Sequence, residues 1–597
     1  MIKKVIWIII SSLMIVALVV SSCGPATEMD EEGGGEGQGA DVDSTQPQYG
    51  GVLNLIQPNE PGGFDPRVTM VHFTRTLPVT HDLLLTGDWT KGPAGTGETS
   101  WQIGFLGRTD LFAGELAESW ELVGDDTLLY HVRQGVKWQN KAPLFGSAGE
   151  VTAEDVAWNI DVDWNTPGMN LDIFFKKEDH PISVKAIDKY TVEVKFPPHA
   201  MAQNVMETSC RIFMLPPKIT EEYGDQSDWK NSTGTGPYML EDYVVGSSIT
   251  YKKNQDYWGI DPVGPGKGNK LPYMDGIVEL IVPDASTQLA ALRTGKIDCT
   301  RGLTITWENG EQMLKQVPQM KYVTTPANTE VPTGRVDKPE LPFHDLRVRQ
   351  ALNLAVNQQE ILDGYYKGNG FLMGYPFFPI KEHEPFYTPL EQMPSQPTAP
   401  GSECSVQELF TYNPDKAKRL LADAGYPNGF TTEIVCDATD ADFLAMIREY
   451  LLDVGVDMQI KTMETGVFNS LTRARTHEQM IYSATHLWWG PWLMHEVRVD
   501  SSGDLSMWED PKTLEVYDTI NRNLGKDNQK WITALKNVVP FIVEESWGVW
   551  MPAYFNYIMW WPWLKNFHGE THVGYVQWYE FTRYSWIDQN LKTSMGY

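Results

Sequence analysis

The chain has 597 residues, with 78 Asp and Glu against 48 Lys and Arg, giving a formal charge of −30 at pH 7. That balance argues against nucleic acid or an anionic lipid surface as a binding partner, since both repel an acidic protein. A body of about 550 residues after the N-terminal tail is too large for one core, so two or more domains are expected.

At the N-terminus, Lys3 and Lys4 precede an apolar run from Val5 to Val20, interrupted only by Ser11 and Ser12. The run is short for a membrane span, and its cationic start and small-residue exit at Ser21 and Ser22 predict an export signal over 1–22. The segment VSSC resembles a bacterial lipobox, which implies cleavage before Cys23 and lipid on its thiol. Residues 23–48 are rich in Gly and acidic residues without aliphatic periodicity, so they read as a tether that cannot bury enough surface to order itself. Besides Cys23, the cysteines are Cys210, Cys299, Cys404 and Cys436. Export permits a disulfide, and four cysteines allow three pairings that sequence does not separate.

GGVLNLIQ predicts a first strand, closed by the turn formers of PNEPGGFDP. LAESWELVGDDTLLYHVRQGVKW reads as a hairpin turning at Gly124-Asp125-Asp126. VTAEDVAWNID predicts a helix capped by Thr152, with Asp155 in the capping position and Ala153, Val156, Ala157 and Ile160 on one face. IDKYTVEVKF reads as one strand, and TGPYMLEDYVVGSSITYKKN as two around Val245-Gly246-Ser247. GIVELIVP is an apolar strand, followed by a helix capped at Asp284. Beyond Cys299 helices dominate. RVRQALNLAVNQQEIL reads as one helix with Val348, Ala351, Leu352 and Ala355 inward. NPDKAKRLLADAGY predicts another, with Ala417, Leu420, Leu421 and Ala424 inward. DFLAMIREYLLDVG is a helix ending at Gly455, VDMQIKTM a strand, and a further strand starts at Met480. The change in character near residue 300 marks a lobe boundary.

No catalytic signature appears: there is no GxSxG, HExxH, P-loop or dinucleotide fingerprint. Glu382-His383-Glu384 reads as a solvated charge cluster on a loop. The aromatic content stands out, with 22 Trp. Trp547/Trp550 and Trp560/Trp561/Trp563 lie in strand-like alternation and read as core. Trp488, Trp489 and Trp492 follow a strand end and flank Gly490-Pro491, so they read as a loop at the mouth of an α/β lobe, where rings meet ligands.

The order of motifs resembles the family 5 extracellular solute-binding proteins of ABC importers. The carrying segments are YGGVLNLIQPNEPGGFDP, LAESWELVGDDTLLYHVRQGVKWQN with TAEDVAWNID, GTGPYMLEDYVVGSSITYKKNQDYWG, IVPDASTQLAALRTGKID, PFHDLRVRQALNLAVNQQEIL and NPDKAKRLLADAGYPNGF. The resemblance implies an α/β, two-lobe periplasmic-binding-protein-like fold with a hinge. Lobe I would span 49–300 with an inserted subdomain near 80–190, lobe II 301–545, and 546–597 would return to lobe I. It implies a lipid-anchored, extracytoplasmic monomer that hands an intact solute to a permease, with no cofactor, metal or catalysis.

Peptide binders of this family usually carry WGxxYPDP where this chain has HLWWGPWLMHEV, so the acid for a peptide amino group is missing there. That departure, with the Trp loop, points to an oligosaccharide as the solute; the alternatives are a peptide ligand or a glycoside hydrolase. The residues expected to meet ligand are Trp488, Trp489, Trp492 and His486, with Trp307, Phe64 and Asp65 as further candidates.

Overall fold

The computed structural model describes residues 46–67, 76–104, 108–141, 149–169, 171–172, 175–327, 329–484, 493–494, 496–499, 503–575 and 577–597. Four four-stranded sheets organise them. In the first, Val52–Gln57 runs parallel to Gly276–Ile281, which pairs antiparallel with Ser248–Lys253, itself the partner of Tyr238–Val244. The second is wholly antiparallel, in the order Ala117–Val123, Thr127–Val132, Thr191–Lys195 and Ser183–Asp188. The helix Ala153–Asn165 packs on it, held at its start by the expected reciprocal cap between Thr152 and Asp155. Gly124 makes the hairpin turn at φ 65°, a left-handed conformation that costs a residue without Cβ little.

The third sheet mixes directions. Glu330–Gly334 pairs antiparallel with Met480–Ala484, which runs parallel to Phe430–Asp437 and through it to Val456–Met463. Helices Leu346–Ala355, Pro414–Asp423 and Ala441–Leu452 belong to the same stretch of chain. The fourth sheet is built around the late strand Ala553–Trp560. It pairs antiparallel with Ile305–Thr306, Lys321–Pro326 and Gly370–Phe371. The two late Trp clusters are core, as their alternation predicts. Trp547, Trp550, Trp560, Trp561 and Trp563 are all buried, with Trp561 and Trp563 stacked at 4.5 Å.

Local polar chemistry departs from the simple periodic reading in three places. IDKYTVEVKF is not one strand: Ile187 and Asp188 end the preceding strand, and the Asp188 carboxylate accepts from the Tyr190 amide to make a tight turn. The helix from Leu346 stops at Val356, whose backbone is extended, and Asn357 starts a new turn by accepting from the Glu360 amide. Glu382 and His383 are buried, not solvated. Glu382 accepts from the Thr99 and Ser100 hydroxyls and the Ser100 amide at 2.6–2.8 Å, tying two segments 282 residues or more apart. The four cysteines of the body are buried and unpaired. Burial pushes the Cys299 thiol up to about 12 and those of Cys404 and Cys436 to about 11.

The most buried lysine or arginine among the described residues is Arg583. Its guanidinium lies within ion-pair distance of Glu115, of Asp82 at 3.0 Å and of Glu580 at 2.9 Å, every partner fully buried. It also donates to the Tyr257 hydroxyl at 2.7 Å, and Asp82 accepts from the Trp258 indole at 2.9 Å. These carboxylates face the arginine off the ideal hydrogen-bond axis, so the attraction is mainly Coulombic. Burial raises Glu115 well above the usual carboxylate range and Glu580 to about 7, against the pull of Arg583. One guanidinium among three carboxylates thus keeps protons on the acids it cannot balance. Arg583→Met leaves three buried acids without a counter-charge, and the expected loss is about 3–5 kcal/mol of stability, read by chemical denaturation.

Candidate functional site

One edge of the third sheet gathers acidic and tyrosine side chains. Glu330 opens its strand directly opposite Ala484, where Met480–Ala484 ends. Asp437 ends the neighbouring strand at the same edge. The chain then turns through Asp440, the residue before helix Ala441–Leu452, whose carboxylate makes no capping bond. Asp437 is occupied, accepting from the Thr439 amide at 3.0 Å and its hydroxyl at 2.8 Å.

Aromatic rings wall this edge. Tyr366 stacks on Tyr554 of the late strand at 5.0 Å and 15°. Tyr365 stands edge-on to Tyr366 at 4.9 Å and to Phe443 at 5.4 Å. Phe443 lies 6.1 Å from Tyr482. Tyr482 is 5% exposed and Tyr366 8%. Neither hydroxyl, nor the carboxylates of Glu330 and Asp440, has a hydrogen-bond or ion-pair partner among the described residues.

The electrostatics agree with the geometry. Burial pushes the Glu330 carboxyl up to about 7, with the negative charges of Asp440 and Asp437 adding to it. Asp440 is raised by burial and by Asp437. The Tyr482 hydroxyl is raised first by burial and then by the negative charge of Glu330. The edge therefore offers dense negative potential and ring faces, in a setting where charge interactions are stronger than in water. No group of three or more His, Cys, Asp or Glu among the described residues is arranged to hold a metal ion.

Of the residues expected at a binding site, Trp488, Trp489, Trp492 and His486 lie outside the described residues, as does Cys23. Trp307 is the first residue of helix Trp307–Gln316, half-buried against the core. Phe64 is buried, edge-on to Tyr243 at 5.1 Å. Asp65 is buried with its carboxylate oxygens taken by Arg67, at 2.7 and 3.0 Å, and by the Gln226 amide at 2.9 Å. Neither Phe64 nor Trp307 stacks on the rings around Glu330. The Glu330 cluster escaped the sequence reading because its members span 330 to 554 with no local motif. A signal was present nonetheless, in a Glu opening the strand EVPTG and in the pair Tyr365-Tyr366.

A mixed α/β chain of this architecture is a periplasmic-binding-protein fold with two lobes. It aligns with the Helicobacter pylori ABC transporter-associated periplasmic binding protein DppA, solved with the peptide STSA. The TM-score is 0.65 at 18% identity, over 91% of this chain and 99% of that one. The sequence pattern described as bacterial extracellular solute-binding proteins, family 5 middle region, matches residues 112–498, and the chain belongs to that family. The dipeptide-binding protein of Escherichia coli K12 is 28% identical over 411 residues, 64% of this chain and 68% of that protein. Heme-binding protein A of Haemophilus influenzae is 29% identical over 347 residues, 55% of this chain and 56% of that protein, so the match spans little more than half of that relative. The family is extracytoplasmic, and no described helix is long and apolar enough to cross a membrane.

The raised carboxyl of Glu330 has a stability consequence. Between the unfolded value near 4.5 and the folded value of about 7, the folded chain holds a proton that the unfolded chain has lost. Its contribution is therefore complete below that window and disappears as pH rises through it. Glu330→Gln should leave stability at pH 4 nearly unchanged and raise it at pH 8 by on the order of 1–3 kcal/mol, measured by urea denaturation at the two pH values.

Proposed function

We propose that this protein is the solute-binding component of an ABC importer, held to the outer face of the membrane through a lipid on Cys23, and that its solute is a short peptide or a peptide-like molecule. The observation that carries this reading is the family match over 112–498, and a sheet edge of acids and rings without side-chain partners among the described residues supports it. The relatives' names, dipeptide-binding and peptide-complexed, favour a peptide over the oligosaccharide expected from the Trp loop. In this reading 49–300 and 546–597 form one lobe and 301–545 the other, with Trp488, Trp489 and Trp492 beside the cleft. Solute bridging both lobes stabilises the closed form and shifts the population toward it, and no bond in the solute is broken.

Incubation with mixed di- to pentapeptides should raise the melting temperature by a few degrees. At a hundredfold excess over Kd the stabilisation is about 2.7 kcal/mol. The bound peptide should be recovered intact by mass spectrometry. Cleaved peptide would overturn the reading in favour of an enzyme, and a shift with oligosaccharides alone would restore the sugar reading. Cys23→Ser should move the protein from the membrane fraction to the soluble fraction of producing cells; retention in the membrane would exclude the lipid anchor.

A further inference from the structure

Glu382 joins two turns that are each built within one lobe of the reading above. On the first lobe, the turn 99–101 is fixed from behind. Trp101 sits at φ 54°, a left-handed conformation that bulky residues seldom adopt. Its carbonyl accepts from the Thr571 and His572 amides at 2.7 and 3.1 Å. Its indole fills space that a side chain on Gly87 or Gly92 would need. The Thr99 and Ser100 hydroxyls and the Ser100 amide then converge on one point. On the second lobe, the turn Lys381–His383 is fixed by His383, which accepts from the Phe378 amide at 2.9 Å and packs against the rings of Phe377 and Phe378. Glu382 projects from that turn and places one carboxylate oxygen where the three donors meet, at 2.6–2.8 Å. Lys381 adds a bond to the Gly97 carbonyl.

The rest of this seam is looser. Helix Pro511–Asn523 of the second lobe meets helix Met201–Arg211 of the first. Where that contact ends there is an open cavity of about 390 Å³, walled by Trp120, Leu122, Leu128, Val205 and Leu524. A permanent core is packed without voids of that size. Lys526 pairs with Asp125 at 2.6 Å, but the Asp125 carboxylate is 85% exposed, and an ion pair so placed adds little. Asn528 reaches Thr109 only at 3.5 Å. Two turns each held by its own lobe, one buried carboxylate between them and a loosely filled seam describe a contact that can part without unfolding either side.

We propose that Glu382, with Thr99 and Ser100, forms a clasp that holds the two lobes shut, made when they close and released when they open. The inference rests on the two-lobe solute-binding reading and goes beyond it by naming a contact of the protein with itself that sets the closed fraction. In the open form water solvates the carboxylate. In the closed form three charge-assisted hydrogen bonds replace that hydration, and their strength fixes the ratio of closed to open chain. A solute that binds the closed form binds more weakly as that form becomes rarer, so the clasp also sets apparent affinity.

Spin labels at Lys185→Cys and Asn469→Cys, exposed on the first and second lobes, would report lobe separation by pulsed electron resonance. The background is the full chain with Cys23→Ser, whose other thiols are enclosed. Without peptide, Glu382→Ala should raise the ratio of long to short separations at least tenfold. Glu382→Gln and Ser100→Ala should raise it less, and Lys526→Ala should leave it unchanged. Adding Ser100→Ala to Glu382→Ala should change nothing more. Mixed di- to pentapeptides should bind each variant more weakly by the factor that its closed fraction falls. Unchanged separations in all three clasp variants, with a lowered urea midpoint, would make the contact a fixed strut and overturn the clasp, as would a larger shift from Lys526→Ala. If Glu382→Ala does not fold, Glu382→Gln and Ser100→Ala decide the matter. If no peptide binds, the peptide reading fails, and the separations measured without peptide still decide the clasp.

Discussion

One strand, Ala553–Trp560, holds together segments that are far apart in the chain. Its backbone groups pair with Ile305–Thr306 and Lys321–Pro326 on its two edges and with Gly370–Phe371 at its start. Amides this deep must find partners inside the protein, so the geometry of the three segments is set by the requirement to satisfy this strand. Gly370 has to be glycine for the pairing to close, because a Cβ there would collide with the Ala553 carbonyl. The same pairing sets Tyr554 opposite Gly370, four residues beyond Tyr366, and the two rings stack as a result. The aromatic wall is therefore a product of a backbone constraint as much as of side-chain choice.

Two acidic groupings illustrate opposite solutions to burying charge. Around Arg583 the counter-charge is internal, and the surplus acids keep their protons. Around Glu330 no counter-charge lies among the described residues, and the carboxyl sits near half-protonation at neutral pH. The first arrangement locks the C-terminal segment against residues 82 and 115 and has no need of solvent or solute. The second is poised, and small changes in its surroundings move its charge.

Much of the architecture was legible because it rests on local rules. The capping pair Thr152–Asp155, the Gly124 turn, the inward faces Val348/Ala351/Leu352/Ala355 and Ala417/Leu420/Leu421, and the buried late Trp residues all follow from period and propensity. Periodicity failed where a single side chain redirected the backbone, at Asp188 and Asn357. It also failed for Glu382, whose partners lie at 99 and 100. The candidate site was least legible of all. Its charges and rings come from three strands, a turn and two helix ends, and only tertiary pairing brings Glu330, Asp440 and Tyr554 to one place. The aromatic residues singled out from sequence fall at 486–492, beyond the described positions, and Asp65 has its carboxylate occupied by Arg67 and Gln226.

The state of the cysteines has a consequence for how the molecule matures. Thiols at 210, 299, 404 and 436 are enclosed, and burial suppresses the thiolate that would attack an oxidant or a neighbouring sulfur. Once the body is folded, these four thiols are shielded from the redox poise of their surroundings. With no disulfide among the four, the body reaches the same covalent form whether it folds in a reducing cell interior or in air-exposed medium.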